Sequence, residues 1–320
     1  MLENLAEVAT QVAVLFVLMG AGAALRISGL VGDRAMEGLV DLLLYIVSPC
    51  VIVDCFQRPF DSAMLGSLGL ALLVAVAVHL VMIPAARAFV RCGDDNARRP
   101  LILAAVFSNA GFMGLPLEQA ILGDKGVFFG VAYVAAFNIF MWSWGISVMR
   151  GGRRSGEDSA GDGKGDAWKI VLNPGTAGIA IGLPLFLLSA RLPEVLAAPV
   201  HHLANMNTPL AMTVVGYSLA GAKFRRVGRI GAVYTAALLR LAASPFLALA
   251  MLYPFAGRID RAMAVATVIA ASAPVAAMVA MFSVKFRRDV DVGVAIVSAT
   301  TLASIVTMPP LIALALSVFG

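Results

Sequence analysis

The chain has 320 residues, 60% of them hydrophobic and 13% charged, with a mean hydropathy of +0.90. Soluble domains carry about 25% charged residues, so the composition excludes one and reads as an all-α polytopic membrane protein; no strand-like alternation suited to a β-barrel appears. The net charge of +5 does not mark a nucleic-acid partner, because the basic residues fall in loops between apolar stretches.

The first residues, Met-Leu-Glu-Asn-Leu-Ala-Glu, are acidic, unlike the basic start of a secretory signal, so the first apolar stretch is expected to be a retained helix. Ten spans follow, at about 8–27, 36–56, 64–86, 99–121, 126–149, 170–190, 199–221, 230–255, 261–284 and 291–318. Each is near the roughly 20 residues that a helix needs to cross a bilayer. Residues 150–168, rich in Gly, Ser, Asp, Arg and Lys, have the composition of a flexible linker. They divide the chain into halves of five spans each, 1–149 and 169–320.

The loops after spans 1, 3, 5, 7 and 9 hold 18 of the 24 Lys and Arg residues, the opposite loops hold five, and Arg240 lies inside span 8. The positive-inside rule then places the 150–168 linker in the cytoplasm and both termini outside, in the cell's inner (plasma) membrane. Because five is odd, halves that share a fold must insert upside down relative to one another. Ten transmembrane helices as two inverted five-helix repeats is an architecture of secondary transporters, with substrate at the repeat interface near mid-membrane. Ser48-Pro49 in span 2 matches Thr208-Pro209 in span 7, and Pro116 in span 4 matches Pro274 in span 9.

Residues 108–117, Ser-Asn-Ala-Gly-Phe-Met-Gly-Leu-Pro-Leu, are a poor continuous helix. Pro116 removes a donor, and Gly111 and Gly114 each weaken a helix by about 1 kcal/mol relative to alanine. Broken backbone at bilayer depth is tolerated only inside protein or beside a cavity. Spans 4 and 9 are therefore expected to break near Pro116 and Pro274 and to cross. Their second halves would aim two helix N-termini, with free N–H groups and partial positive charge, at one place suited to an anion. Ser108, Asn109, Asn138 and Ser272 are the polar side chains that complete the candidate site, since an amide donates to a carboxylate without burying a charge. Asn205 and Asn207 are weaker candidates.

Ionisable residues within spans are functional candidates. Glu118 is expected either to stabilise the start of the second half-helix or to exchange a proton. Arg240 is expected to attract an anion, pair with an acid or reach the cytoplasmic interface, and His79 is a further candidate for a coupling or charge role. Asp41 and Asp54 read as snorkelling or capping groups. No cofactor or metal is expected. Cys50, Cys55 and Cys92 read as apolar filler, and His201 and His202 are adjacent without evident partners. No phosphate-binding loop of an ATPase occurs.

The segment from Asn109 to Pro116 resembles the fourth-helix motif of the auxin efflux carrier family, which includes bacterial carriers and the plant PIN proteins. Asn173-Pro174-Gly-Thr-Ala-Gly resembles that family's Asn-Pro motif, and Thr208-Pro-Leu-Ala-Met and Ala273-Pro-Val-Ala fit its second half. The resemblance implies ten helices in two inverted repeats. Helices 1, 2, 6 and 7 would form a scaffold that often dimerises, and helices 3–5 and 8–10 a transport domain whose helices 4 and 9 cross at their prolines. It further implies elevator-like transport of organic anions such as auxin, malonate or malate. Whether Asn173 joins the site stays open. The alternatives are a cation–proton antiporter, a sodium-coupled symporter of the bile-acid type, and an intramembrane enzyme. The antiporter wants paired carboxylates. The enzyme wants a dyad that Asp41 and Asp54 cannot form, lying roughly 20 Å apart at 1.5 Å per residue.

Overall fold

The computed structural model describes residues 2–151, 174–221 and 231–320. The linker beyond Gly151 and Asn173 lie outside the described residues. Among the described residues every element is helical. In chain order they are α1 (Leu2–Ile27), α2 (Asp33–Phe56), α3 (Ser62–Phe89), α4 (Asp95–Val106), α5 (Leu115–Leu122), α6 (Asp124–Arg150), α7 (Pro174–Leu187), α8 (Glu194–Asn205), α9 (Asn207–Ala220), α10 (Gly231–Phe255), α11 (Arg261–Ser272), α12 (Met278–Lys285) and α13 (Val290–Phe319). Six of these, α1, α2, α3, α6, α10 and α13, are long and apolar enough to cross a membrane. Expected span 7 is divided: it begins earlier, as α8, and bends at Met206 into α9.

Helix starts follow local chemistry. Asp61, Asp94, Asp260 and Asp289 each accept hydrogen bonds from the first free N–H groups of α3, α4, α11 and α13, which satisfies donors that the helix leaves unpaired. Three prolines, Pro49, Pro116 and Pro245, follow widened turns. The π stretches Leu43–Val47, Ala110–Gly114 and Leu239–Ala243 each end one residue before Ser48-Pro49, Leu115-Pro116 or Ser244-Pro245. A proline deprives an earlier carbonyl of its N–H, and shifting to i→i+5 pairing re-satisfies the backbone.

The core lies around α4, α5, α6 and α11, and every residue from Met263 to Ser272 is buried. The outside is apolar too, with Val17, Leu73, Leu80, Leu238 and Phe246 exposed, as a lipid-facing surface requires. Several helix pairs approach closely at glycines, among them α1–α9 and α2–α7. A Cβ at Gly22 would lie 2.0 Å from the Thr213 carbonyl oxygen, and one at Gly216 1.8 Å from that of Met19, so α1 and α9 meet backbone to backbone. Gly182 of α7 presses on the Phe56 ring and Gly178 on Pro49 of α2. Small residues permit such contact where no hydrophobic effect drives helices together.

Gly216→Ala is expected to cost about 1–3 kcal/mol through overpacking and to lower the melting temperature in detergent. Gly20→Ala, where a Cβ meets nothing, is the control that leaves the melting temperature in place.

Candidate functional site

Two interruptions face one another. α4 ends at Val106, and the chain resumes helical form at Ala110; α11 ends at Ser272, and α12 starts at Met278. Ser108 and Val275 pair as an antiparallel bridge. The Asn109 N–H donates to the Pro274 carbonyl at 2.7 Å, and the Ala276 N–H donates to the Phe107 carbonyl at 3.0 Å. The break in span 4 therefore lies at 107–109 and not at Pro116. Pro116 sits within the second half-helix, where a proline near a helix start needs no N–H, after the π turn that its missing donor demands. In span 9, Pro274 does lie in the break, but the new helix begins four residues later.

Neighbouring helices satisfy the remaining groups. The Val275 N–H donates to the Thr300 hydroxyl of α13 at 3.2 Å, and that hydroxyl donates to the Ile296 carbonyl at 2.8 Å. From α10, the fully buried Arg240 donates through one terminal nitrogen to the Val106 carbonyl at 2.7 Å. Its other terminal nitrogen donates to the Ala271 carbonyl and the Ser244 hydroxyl. Arg240 thus neither reaches an interface nor pairs with an acid. It caps the carbonyl ends of α4 and α11 together, the ends that carry the negative pole of each helix dipole.

The opposite pole of the half-helix after Asn109 remains open, whereas the N–H groups of Val275, Ala276, Val279 and Ala280 around the start of α12 are paired. The N–H groups of the first turn after Asn109 have no partner within their helix, and a Cβ at Gly111 would meet only open space. Gly114 lies against Ala270 of α11 at ordinary contact distance. Among the described residues the Asn109 amide has no hydrogen-bond partner, and the buried Ser108 hydroxyl has none either. Ser108, Asn109, Gly111, Gly114 and Pro274 are thus gathered around the crossing. Two expected members are occupied locally: the Asn138 amide donates to the Val134 carbonyl at 3.0 Å, and the Ser272 hydroxyl to the Ile269 carbonyl at 2.9 Å.

His79 lies beside the crossing in an aromatic cage, stacked on Phe140 at 5.2 Å and flanked by Tyr133 and Phe107. A carbonyl only accepts, so the 2.7 Å contact between Nδ1 and the Ala75 oxygen puts a proton on Nδ1 and leaves Nε2, buried and without a partner, as a bare acceptor. Glu118 is fully buried, and neither of its oxygens has a hydrogen-bond partner. It lies beyond the first turn after Asn109 and caps nothing.

A cavity of about 510 Å³ opens at the end of the molecule bearing Asp54, Arg58, Asp124, Arg191 and His201. A smaller one, about 70 Å³, continues between α2 and α9 on one side and Leu115, Gln119 and Val127 on the other. His201, expected to lack a partner, pairs through Nδ1 with Asp54 at 3.0 Å and so links α8 to α2 across this cavity. Cys55 is buried as expected, its thiol donating to the Ile52 carbonyl. Sequence reasoning missed Thr300, Ser244 and Gly130; the run of buried polar residues Ser298, Thr300, Thr301 and Ser304 in an otherwise apolar span was the available signal.

Residues 7–312 match the family described as membrane transport protein, which is nearly the whole chain. The chain belongs to this family. A protein of Methanothermobacter thermautotrophicus (strain Delta H), named only as an uncharacterized transporter, is 24% identical over 298 residues, covering 92% of this chain and 93% of that protein. The membrane transport protein family and the apolar helices together make this chain a multi-pass membrane transporter and not an enzyme.

Arg240→Met is expected to lower stability by about 3 kcal/mol or more, since each hydrogen bond from a charged donor is worth about 1.5–3 kcal/mol. Arg240→Lys should recover only part of that loss, because an ammonium lacks the planar fork that spans both carbonyls. Thermal unfolding in detergent measures both. Thr300→Val should cost about 1 kcal/mol by leaving the Val275 N–H unpaired.

Proposed function

We propose that this transporter is a secondary carrier of small organic anions, auxin-like or dicarboxylates such as malonate or malate, held at the crossing of the two broken helices. The observation that carries the reading is the asymmetry of that crossing. Arg240 occupies the carbonyl ends of α4 and α11, while the N–H end of the half-helix that follows Asn109 stays open beside the Asn109 side chain and the empty space at Gly111. A preformed concentration of N–H dipoles at low dielectric favours an anion.

In this reading the chain is a relative of the auxin efflux carriers, with ten spans in two inverted five-helix repeats, 1–149 and 169–320, joined by the 150–168 linker. The glycine-tight pairs α1–α9 and α2–α7 support a static scaffold made of α1, α2 and α7–α9, through which two copies would dimerise. The helices α3–α6 and α10–α13, knit together by Arg240, Thr300 and the Ser108–Val275 bridge, support a unit that slides against it as an elevator. Lys and Arg placement sets both termini outside the cell membrane and the linker in the cytoplasm.

Uptake of labelled malonate, malate and indole-acetate into proteoliposomes tests this. The expected result is saturable flux of at least one probe, with Asn109→Ala raising the half-saturation concentration by about tenfold or more, the value of one hydrogen bond to a charged group. If none of the three crosses and none shifts the melting temperature, the anion reading is wrong. A periplasm-only phosphatase fused after residue 160 should be inactive; an active fusion would reverse the orientation.

A further inference from the structure

Among the described residues Glu118 is the one buried acid, and the reading above gives it no work. It is fully buried, and among those residues no hydrogen-bond donor or ion-pair partner meets either oxygen. The space it fills is made for it by glycine. A Cβ at Gly130 of α6 would fall 1.6 Å from Oε2, and one at Gly126, a turn earlier, 2.7 Å from the Glu118 carbonyl oxygen. Gly114 lies behind Oε1. A carboxylate ion in that cradle would have neither hydrogen bonds nor a counter-charge, whereas the acid is a neutral group of the same shape.

Among the described residues, several charged groups on the surrounding helices pair elsewhere, while Arg261 at the start of α11 and the buried Tyr133 hydroxyl of α6 show no hydrogen bond or ion pair. On α6, Asp124 accepts from Gln119 and Lys125 pairs with Asp260; Tyr133 packs on His79. On α2, Asp54 pairs with His201, and the Cys55 thiol donates to the Ile52 carbonyl. Arg58, just beyond α2, donates to the Cys55 and Asp124 carbonyls. On α1, Arg26 pairs with Asp33, to which Tyr217 of α9 also donates. The cavity lined by Leu115, Gln119 and Val127 ends one helical turn from the Glu118–Gly130 contact, because Leu115 and Val127 precede these residues by three.

We propose that Glu118 binds one proton from the cavity and carries it across with the anion, so that the transporter is a proton–anion symporter. The reaction is a simple proton exchange: the carboxylate takes a proton from water on one side and returns it on the other, with nothing oxidised or reduced. The direction follows from charge. Glu118 is nine residues past Asn109, about 14 Å along the helix axis, so an ionised Glu118 would repel an anion at the crossing through protein of low dielectric. A protonated one would not. The inference rests on the anion reading.

The test uses proteoliposomes with the membrane potential clamped at zero, a trapped pH dye and labelled malonate, malate or indole-acetate. With one proton per anion, each unit of inward pH gradient should sustain about a tenfold accumulation, and the lumen should acidify in step with uptake. In Glu118→Gln, an isostere of the acid form, the dependence on the gradient and the acidification should both vanish. A merely structural role would lower flux at every pH without removing its gradient dependence. Wild-type flux indifferent to the gradient, or protons moving against the anion, would overturn symport while leaving the anion carrier intact. Flux of no probe would sink the anion reading and symport with it. Infrared difference spectra give a readout that needs no substrate: the carbonyl stretch of a protonated acid at neutral pH should be present in the wild type and absent in Glu118→Gln. Its absence from the wild type overturns the proposal.

Discussion

Everything at the centre of this molecule depends on one constraint, that no backbone N–H or C=O can be left bare in hydrocarbon. Two helices that stop inside the buried core of such a protein should be costly. They are tolerated because each interruption supplies the other's missing partners. Asn109 donates to Pro274, Ala276 donates to Phe107, Thr300 accepts from Val275, and Arg240 meets the Val106 and Ala271 carbonyls. The bridge is only one residue pair long, yet it ties helices from the two halves of the chain at the point of closest approach.

Arg240 explains how a buried cation is accommodated without a carboxylate. Its charge is met by two helix C-terminal carbonyls and a serine hydroxyl. A guanidinium presents several donors in a plane, so one side chain can serve helix ends that come from different parts of the chain. The consequence is electrostatic as well as structural. With the negative poles neutralised, the field left at the crossing is that of the half-helix N-terminus after Asn109. Glu118 lies further along that half-helix, and glycine on α6 is what gives it room.

Much of the fold was legible because bilayer-length apolar runs are a coarse signal that needs no partner to interpret. The family resemblance was legible for the same reason, since its motifs are local. Positions that depend on a partner were not. Pro116 looked like the break because a proline interrupts a helix; in the structure a π turn absorbs its missing donor, and the interruption falls at 107–109, where the pairing partner is. Asp54 and His201 looked unconnected because nothing in their spacing brings α2 and α8 together.

The sequence by itself determined the membrane setting, the helical class and the fact that spans 4 and 9 could not be continuous, but not the division of span 7 at Met206. Composition and local backbone chemistry act over a few residues and can be read there. Only the tertiary structure decided where the breaks lie, that they pair with one another, and that Arg240 caps carbonyls instead of facing solvent or an acid. Those outcomes are settled by which groups remain unsatisfied once helices from both halves have packed, and a distant hydrogen-bond partner leaves no mark on the local sequence.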